Sequence, residues 1–155
     1  TIHTARPGIV IGRKGAAVKD LRQKLKDMTG KTARVEVEEI TQPDANAQLI
    51  AENIAGQLER RISHSRAMKR AVLQAMRAGV KGVRIEASGR LSGSEMARKE
   101  KLWEGRVPRN MIRADLDYGF AEALTTYGRI GIKAWVYNGE ILPQRVEATD
   151  VYISE

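Results

Sequence analysis

The sequence predicts an α+β protein, in which a partial mixed unit precedes a domain of helices packed on an antiparallel sheet. Apolar residues recur with helical spacing in the stretches 16–29, 47–62 and 66–78. After Gly79 the period changes from about 3.6 residues to about 2. Alternation of this kind indicates strands with one covered face and one polar face, as in an antiparallel α+β layer.

The first part of the chain combines short strands with one clear helix. Residues 1–6 alternate weakly and predict the end of a strand, and Pro7 suits the first turn of a helix. Residues 16–29 predict an amphipathic helix that ends at Gly30. Residues 33–38 alternate strictly between small apolar and charged side chains, which predicts a half-buried strand.

Two consecutive helices are predicted next. Asp44 is the expected N-cap of the first helix, whose apolar residues repeat every four positions as far as Ile62. This pattern predicts that the helix ends near Ser63. The second helix is predicted from about Arg66 to Ala78, and Gly79 ends it.

Alternating residues predict a sheet after these helices. A short helix or turn is expected at 119–126 and a turn at Asn138-Gly139, while Trp103 and Trp135 are interpreted as packing residues. The strands are predicted at 83–88, 101–107, 112–118 and 130–137.

These elements predict how the chain divides. We expect a first unit at 1–40, a linker helix at 41–65, a C-terminal α+β domain at 66–143 and a tail at 144–155 without a strong pattern. Because Thr1 already lies in a predicted strand, we expect the segment to begin inside a larger protein.

The composition points to a polyanion as the partner. The 155 residues include 27 Lys and Arg against 19 Asp and Glu, and the formal net charge is +8. Such a balance favours nucleic acid first and an acidic membrane surface second. The chain has no cysteine, which excludes a disulfide scaffold, a thiolate zinc site and a Cys nucleophile. Its seven aromatic residues argue against base stacking as the main mode of binding.

The most specific motif is the turn Gly12-Arg13-Lys14-Gly15, directly before the predicted helix that carries Lys19. Glycines three residues apart at a helix start let the backbone approach a phosphate closely, and the free N–H groups of the helix favour an anion. The alternative is a capped turn with two basic side chains in solvent. The motif lacks the spacing and the Gly-Lys-Ser/Thr ending of a nucleotide-binding P-loop, so nucleotide hydrolysis is not supported.

A second candidate is the stretch from Arg60 to Ile85, which contains no acidic residue. On a helix at about 100° per residue, its bases between 66 and 77 share a sector of roughly 100°, interrupted by Leu73. The alternative is an ordinary solvated face, but such faces usually mix both signs of charge. The bases of this stretch are Arg60, Arg61, Arg66, Lys69, Arg70, Arg77, Lys81 and Arg84.

A third cluster of basic residues is looser. Basic loops at a sheet edge would grip an RNA backbone, and scattered solubilising charge is the equally supported alternative. Its members are Arg90, Arg98, Lys99, Lys101, Arg106, Arg109 and Arg113.

The sequence gives no pattern of catalytic residues. Asp115 and Asp117 share one face of a predicted strand and are a conceivable metal site, but Arg113 on the same face makes a surface of ion pairs the favoured reading. The two histidines, His3 and His64, are too few and too far apart to suggest a metal cluster. We therefore predict no catalytic residues, no metal and no cofactor.

Several stretches of the chain carry a resemblance to a known family. Residues 10–15, with the helix and strand that follow, resemble a type II KH domain. The resemblance to the bacterial small-subunit ribosomal protein S-three family is wider and runs from residue 1 to about Pro143. The matching stretches are 3–12, 58–61, 66–71, 88–91, 104–108 and 125–128.

This resemblance implies a structural component of the small ribosomal subunit in the cytoplasm. It implies binding to 16S rRNA in the head, beside proteins S-ten and S-fourteen, and to mRNA at the channel where mRNA enters, with proteins S-four and S-five. It also implies that residues 1–40 are a KH domain without its first helix and strand. The RNA-binding residues expected from the motifs are Gly12, Arg13, Lys14, Gly15, Lys19, Arg60, Arg61, Arg66, Lys69, Arg70, Arg77, Lys81, Arg90, Arg106 and Arg109.

In the family, basic residues at the start of the second helix face incoming mRNA and help to open its secondary structure. The matching positions are Ser65, Arg66 and Lys69, and Ser65 stands where the family has Arg. Two other functions fit the same composition. One is a free KH-type RNA chaperone or regulator, and the other is a nucleic-acid-cleaving enzyme.

Overall fold

The structure, a computed structural model, describes residues 1–141 and confirms the α+β class. The predicted tail at 144–155 lies outside the described residues. None of the described helices is long and apolar enough to cross a membrane. In chain order the elements are strand β1 (Ile2–Thr4), helix α1 (Pro7–Ile11), helix α2 (Ala16–Thr29), strand β2 (Val37–Glu39), helix α3 (Ala47–Glu59), helix α4 (His64–Arg77) and strands β3 (Gly82–Gly89), β4 (Arg98–Gly105), β5 (Ala114–Thr125) and β6 (Gly128–Glu140).

The N-terminal elements form a small unit around two parallel strands, β1 and β2, in which Ile2 pairs with Val37. The predicted helix at 16–29 is confirmed, and Gly30 follows it in the left-handed conformation. Strand β2 begins at Val37, so only residues 37 and 38 of the predicted strand at 33–38 are confirmed, because β1 offers only three residues for pairing. No residue before Ala47 is buried, and Met28 of α2 is 83% exposed.

The C-terminal layer is an antiparallel sheet in the order β4-β3-β6-β5, covered on one face by α3 and α4. The covered face is apolar because every second residue of the central strands is aliphatic. Ile85 of β3 pairs with Ala134 of β6, and both side chains are completely buried. This layer holds the hydrophobic core of the described chain.

Helix α3 lies within the segment predicted as a linker, yet its apolar face belongs to this core. Ile54 is completely buried there. The division of the chain at residues 40 and 65 stays a prediction, and the packing of α3 favours grouping it with the sheet.

The predicted ends of α3 are both wrong. Its N-cap is Asn46, whose side-chain oxygen accepts a hydrogen bond from the Leu49 N–H at 3.1 Å, whereas Asp44 lies in a short 3₁₀ turn. The helix stops at Glu59 because Arg61 turns the chain with a left-handed φ of 62°. Ile62, the last member of the four-residue repeat, is therefore outside the helix and 38% exposed.

Strands β5 and β6 run through two predicted turns. Residues 119–125, predicted as part of a helix or turn, continue β5, and Asn138-Gly139 lies inside β6. Asn138 is the extra residue of a bulge, because Asp115 pairs with Gly139 and Leu116 pairs with Tyr137. The long pairing of the two strands outweighs these local turn signals.

Gly119 of β5 allows α3 to approach the sheet closely. A Cβ atom at Gly119 would overlap with the Ala47 carbonyl oxygen. The covered side of β5 therefore carries Gly119 and the small residues Ala121 and Ala123, each paired with a residue of β6. Tyr118 and Phe120 lie on the opposite, open side. The side of the strand that carries Asp117 is predicted to be polar, but α3 covers it instead.

We predict that Gly119→Ala lowers the free energy of unfolding by about 1–3 kcal/mol or more, because either β5 or the start of α3 must move. Gly131→Ala on β6 is the matched control, since its Cβ would make only ordinary contacts at 3.5 and 3.6 Å. Urea unfolding followed by circular dichroism measures both variants. Equal stability of the two would contradict the close approach.

Candidate nucleic-acid interface

The turn from Gly12 to Gly15 joins the short helix α1 to α2. Gly12, Lys14 and Gly15 have φ values of 70°, 53° and 76°, all in the left-handed region. A Cβ at Gly12 would lie 2.9 Å from the Ala17 Cβ, so the tight turn depends on glycine there.

The same turn places positive charge at the start of α2. The side chains of Arg13, Lys14 and Lys19 are exposed, and no side chain caps the N-terminus of α2 in the described structure. Free N–H groups at a helix start and nearby cations both favour an anion. The turn therefore has the chemistry for contact with a phosphate.

Helix α4 separates its two faces sharply. Met68 and Val72 are buried against the sheet side, while Arg66, Lys69 and Arg70 are exposed. These three bases, with Ser63, Ser65 and Leu73, line an open groove of about 480 Å³. The helical spacing in the sequence thus becomes one exposed surface that carries three bases, which we call the α4 groove.

The bases around the α4 groove have no acidic partners. Within residues 1–141, the Lys and Arg side chains that form ion pairs are Arg34, Arg98, Lys101 and Arg129. None of these belongs to the groove. Its charge is therefore available to a polyanion.

The remaining bases of the acid-free stretch lie around the same helix or beyond it. Arg60 and Arg61 are exposed in the turn before α4, where the Arg61 N–H bonds to the Leu58 carbonyl at 2.9 Å. Arg77, the last residue of the helix, and Lys81 beyond it are exposed. Arg84 is different, because it is half-buried and its guanidinium lies 5.9 Å from the Trp135 ring centroid.

The third predicted cluster does not come together with the α4 groove. Arg90 is engaged within the fold, because it donates hydrogen bonds to the carbonyls of Ser94 at 2.8 Å and Tyr127 at 3.3 Å. Arg109 lies over Trp135 at 5.8 Å, and Arg106 is exposed with one donor 3.6 Å from the Met111 sulfur. Binding of RNA by Arg90, Arg106 and Arg109 stays a prediction.

Asp117, proposed above as a conceivable metal ligand, has a structural role. Its Oδ2 accepts a hydrogen bond from the Ala47 N–H at 2.7 Å, at the first residue of α3. No group of three potential ligands is assembled within residues 1–141. The ion pair predicted with Arg113 is not among those of the described chain.

The interpretation of Trp103 as a packing residue is wrong, because its side chain is 63% exposed.

Sequence reasoning missed the buried contact that fixes the start of α4. His64 is 7% exposed, and its ring nitrogens lie 3.0 Å from Ser92 Oγ and 2.8 Å from Glu100 Oε2. Glu100 Oε1 also accepts a hydrogen bond from Arg98 Nε at 3.0 Å. These residues are distant in sequence and follow no motif, because the contact forms only where the start of α4 packs beside β4 and the turn after β3.

This network sets the ionisation of Glu100. Burial raises the pKa of the carboxyl, but hydrogen bonds from Arg98 and His64 and the charges of these groups outweigh it. The pKa of Glu100 therefore lies below the ordinary glutamate value.

The fold and these surfaces together define a nucleic-acid-binding protein, in which a KH-type unit precedes an α+β layer with a basic helix. A KH domain model matches residues 1–45, and the model of "Ribosomal protein S3, C-terminal domain" matches residues 54–136. The chain belongs to this ribosomal protein S3 family.

Curated relatives are similar over nearly the whole chain. The protein named small ribosomal subunit protein uS3 of Carboxydothermus hydrogenoformans is 56% identical over 144 residues, which cover 93% of this chain and 65% of the relative. Its counterpart in Caldicellulosiruptor bescii is 55% identical, over 96% of this chain and 68% of the relative. The chain thus spans about two thirds of the length of these relatives.

We predict that the stabilising effect of Glu100 depends on pH. Because its pKa is lower in the folded chain, the contribution is complete above the ordinary glutamate pKa of about 4.3 and is lost as the pH falls through the folded value. Glu100→Gln should therefore reduce the free energy of unfolding at pH 6–7, and the difference from the wild type should vanish in acid. Urea unfolding at a series of pH values measures this difference.

Glu104→Gln on the same strand is the control, because Glu104 is exposed and forms no ion pair within residues 1–141. A deficit of Glu100→Gln that stayed constant down to pH 3 would contradict the linkage.

Proposed function

We propose that this chain is a non-enzymatic, RNA-binding constituent of the small ribosomal subunit in the cytoplasm. The observation that carries the proposal is the α4 groove, an acid-free surface on a helix whose opposite side is buried in the core. Membership of the ribosomal protein S3 family supports it.

The proposed mechanism is contact with the RNA backbone. Lys and Arg neutralise phosphates and fix the register of a protein on RNA without reading the sequence. The turn at Gly12–Gly15 holds the backbone of one strand, as KH domains hold a short single-stranded segment. The α4 groove holds a second segment. We assign 16S rRNA in the head of the subunit as the first ligand.

We assign mRNA as the ligand of the α4 groove. Arg66 and Lys69 lie at the start of α4, side by side in the groove, where two phosphates of an incoming strand would be neutralised. Ser65 lies in the same groove without charge, so this chain has fewer bases there than its family.

The proposed neighbours are proteins S-ten and S-fourteen in the head and proteins S-four and S-five at the mRNA entrance. The family resemblance supports these assignments. We also propose that the first 40 residues act as the KH unit and that the sheet layer forms the second RNA-binding unit.

Sedimentation distinguishes a ribosomal constituent from a free RNA chaperone. We expect the tagged chain to sediment with small subunits in a sucrose gradient and to remain bound after a high-salt wash. The matched control is Arg66→Ala with Lys69→Ala, which should still enter subunits if the groove faces mRNA. A wild-type chain found only at the top of the gradient would overturn the ribosomal assignment.

We predict that Arg66→Ala with Lys69→Ala slows initiation on structured mRNA more than on unstructured mRNA, because the groove no longer holds the melted strand. Loss of two phosphate contacts should lower the slope of log affinity against log salt by about 1.4 for single-stranded RNA. Ser65→Arg should act in the opposite direction.

The charge-matched control is Lys24→Ala with Lys31→Ala, which removes two exposed bases outside the groove. Initiation rates on mRNAs with and without a hairpin give the first readout, and filter binding at several salt concentrations gives the second. Equal slowing on both mRNAs would refute an unwinding role.

A further inference from the structure

The α4 groove combines three exposed bases with one exposed apolar residue. Arg66, Lys69 and Arg70 line it, and Leu73, which lines it as well, is 48% exposed. The long stems of Lys and Arg are themselves apolar and present only their charged ends to water. A phosphate backbone uses the charges but not Leu73. The groove therefore offers contacts to a ligand that has both acidic and apolar side chains.

The segment 142–155 of the same chain has this composition. The whole chain has a net charge of +8, but acids outnumber bases in this segment by three to one. An apolar run, Val151-Tyr152-Ile153, directly follows one of the acids. The charged residues of the segment are Arg145, Glu147, Asp150 and Glu155. Segment and groove are thus complementary in charge, and each also has an apolar part.

Strand β6 brings the chain to the C-terminal end of α4. Lys81, four residues after the last residue of that helix, donates its N–H to the Tyr137 carbonyl at 2.9 Å. The Lys81 Nζ atom lies beside Gly139, two residues before the end of the described structure. The segment therefore follows from a point near the end of α4, and the groove lies at the start of the same helix.

The segment is long enough to reach the groove. Helix α4 has 14 residues and is about 21 Å long at about 1.5 Å per residue. An extended chain covers about 3.3 Å per residue, so Glu147 and Asp150 can reach roughly 20 and 30 Å beyond Ile141. The first distance matches the length of the helix, and the second leaves room for the chain to pass over the helix surface.

The connection within one chain makes a weak contact effective. An exposed ion pair contributes little by itself and is screened by salt. A short tether, however, holds the two partners at an effective concentration of the order of millimolar. A ligand with many phosphates would still displace the segment, because every further phosphate adds a contact. Such a contact excludes weak ligands and yields to strong ones.

We propose that residues 142–155 dock on the α4 groove of the same chain and compete there with RNA. The acidic side chains meet Arg66, Lys69 and Arg70, and the apolar run meets Leu73. RNA that binds the groove displaces the segment, so short or random RNA is excluded more than RNA that makes many contacts. The competition rests on the proposed function of the groove, whereas the docking itself does not.

Carbodiimide cross-linking tests the docking, because the reagent joins a carboxylate to a lysine amine as an amide and leaves as its urea. Lys69 is the only lysine among the described residues that line the groove. We expect mass spectrometry of the cross-linked full chain to find Glu147 or Asp150 joined to Lys69. An excess of a single-stranded RNA 12-mer should remove this product.

Two outcomes would overturn the docking. Carboxylates of the segment that never join Lys69 would place it away from the groove, whichever other lysines they join. Products that join an isotope-labelled chain to an unlabelled one, in place of products within one chain, would make the contact one between two copies.

Affinity for the same RNA 12-mer tests the competition. The variant Glu147→Gln, Asp150→Asn and Glu155→Gln should bind it about threefold more tightly or more at low salt, and the gain should disappear at high salt. The charge-matched control neutralises three exposed acids outside the groove and should change the affinity far less. This control is Glu39→Gln, Asp44→Asn and Glu104→Gln.

An equal gain in the control would assign the effect to net charge and overturn the competition. A gain that persists after Arg66→Ala and Lys69→Ala are added would overturn it as well. A segment that joins Lys69, but whose neutralisation leaves RNA binding unchanged, loses only the competition. A chain that passes both tests but never sediments with small subunits loses only its ribosomal role.

Discussion

The close approach of α3 to β5 is the contact on which the C-terminal layer depends. Gly119 leaves room for the Ala47 carbonyl, and the Asp117 carboxylate caps the first N–H of the helix. The Gln48 amide then bonds to both the N–H and the carbonyl of Phe120 at 3.1 Å. An edge strand normally exposes such groups to other chains, and here the side chains of a helix occupy them. The contact therefore positions α3 and also protects the edge of the sheet.

The position of α3 determines that of α4 and its groove. Only a short turn joins the two helices, and the left-handed Arg61 reverses the chain within it. His64 then ties the start of α4 to Ser92 and Glu100. A cationic surface on a helix fixed in this way loses little entropy on binding, because its backbone is already ordered. The buried polar contact thus holds in place the helix that carries the exposed charges.

Periodicity predicted those parts of the fold that depend on neighbours in sequence. Helix α2, strand β3 and the exposed bases of α4 follow from spacing alone. Sequence reasoning failed where a distant partner decides the conformation. Residues 119–125 are strand because β6 pairs with all of them, and His64 is buried where α4 packs near Glu100, 36 residues away. No local sequence pattern indicates either the pairing with β6 or the contact with Glu100.

The same close contact determines on which side of the sheet the bulky residues of β5 lie. Because α3 lies so near β5, the covered side of this strand admits only residues as small as Gly119, Ala121 and Ala123. The bulky residues of β5 are therefore on the other side, where alternation alone would predict polar ones. Tyr118 meets Trp135 there, and Phe120 lies two residues further along β5, on the sheet face that no helix covers. Helix α4 carries four bases and no acid, and the aromatic residues lie on the opposite face of the sheet. One packing constraint thus gives this small layer two chemically different surfaces.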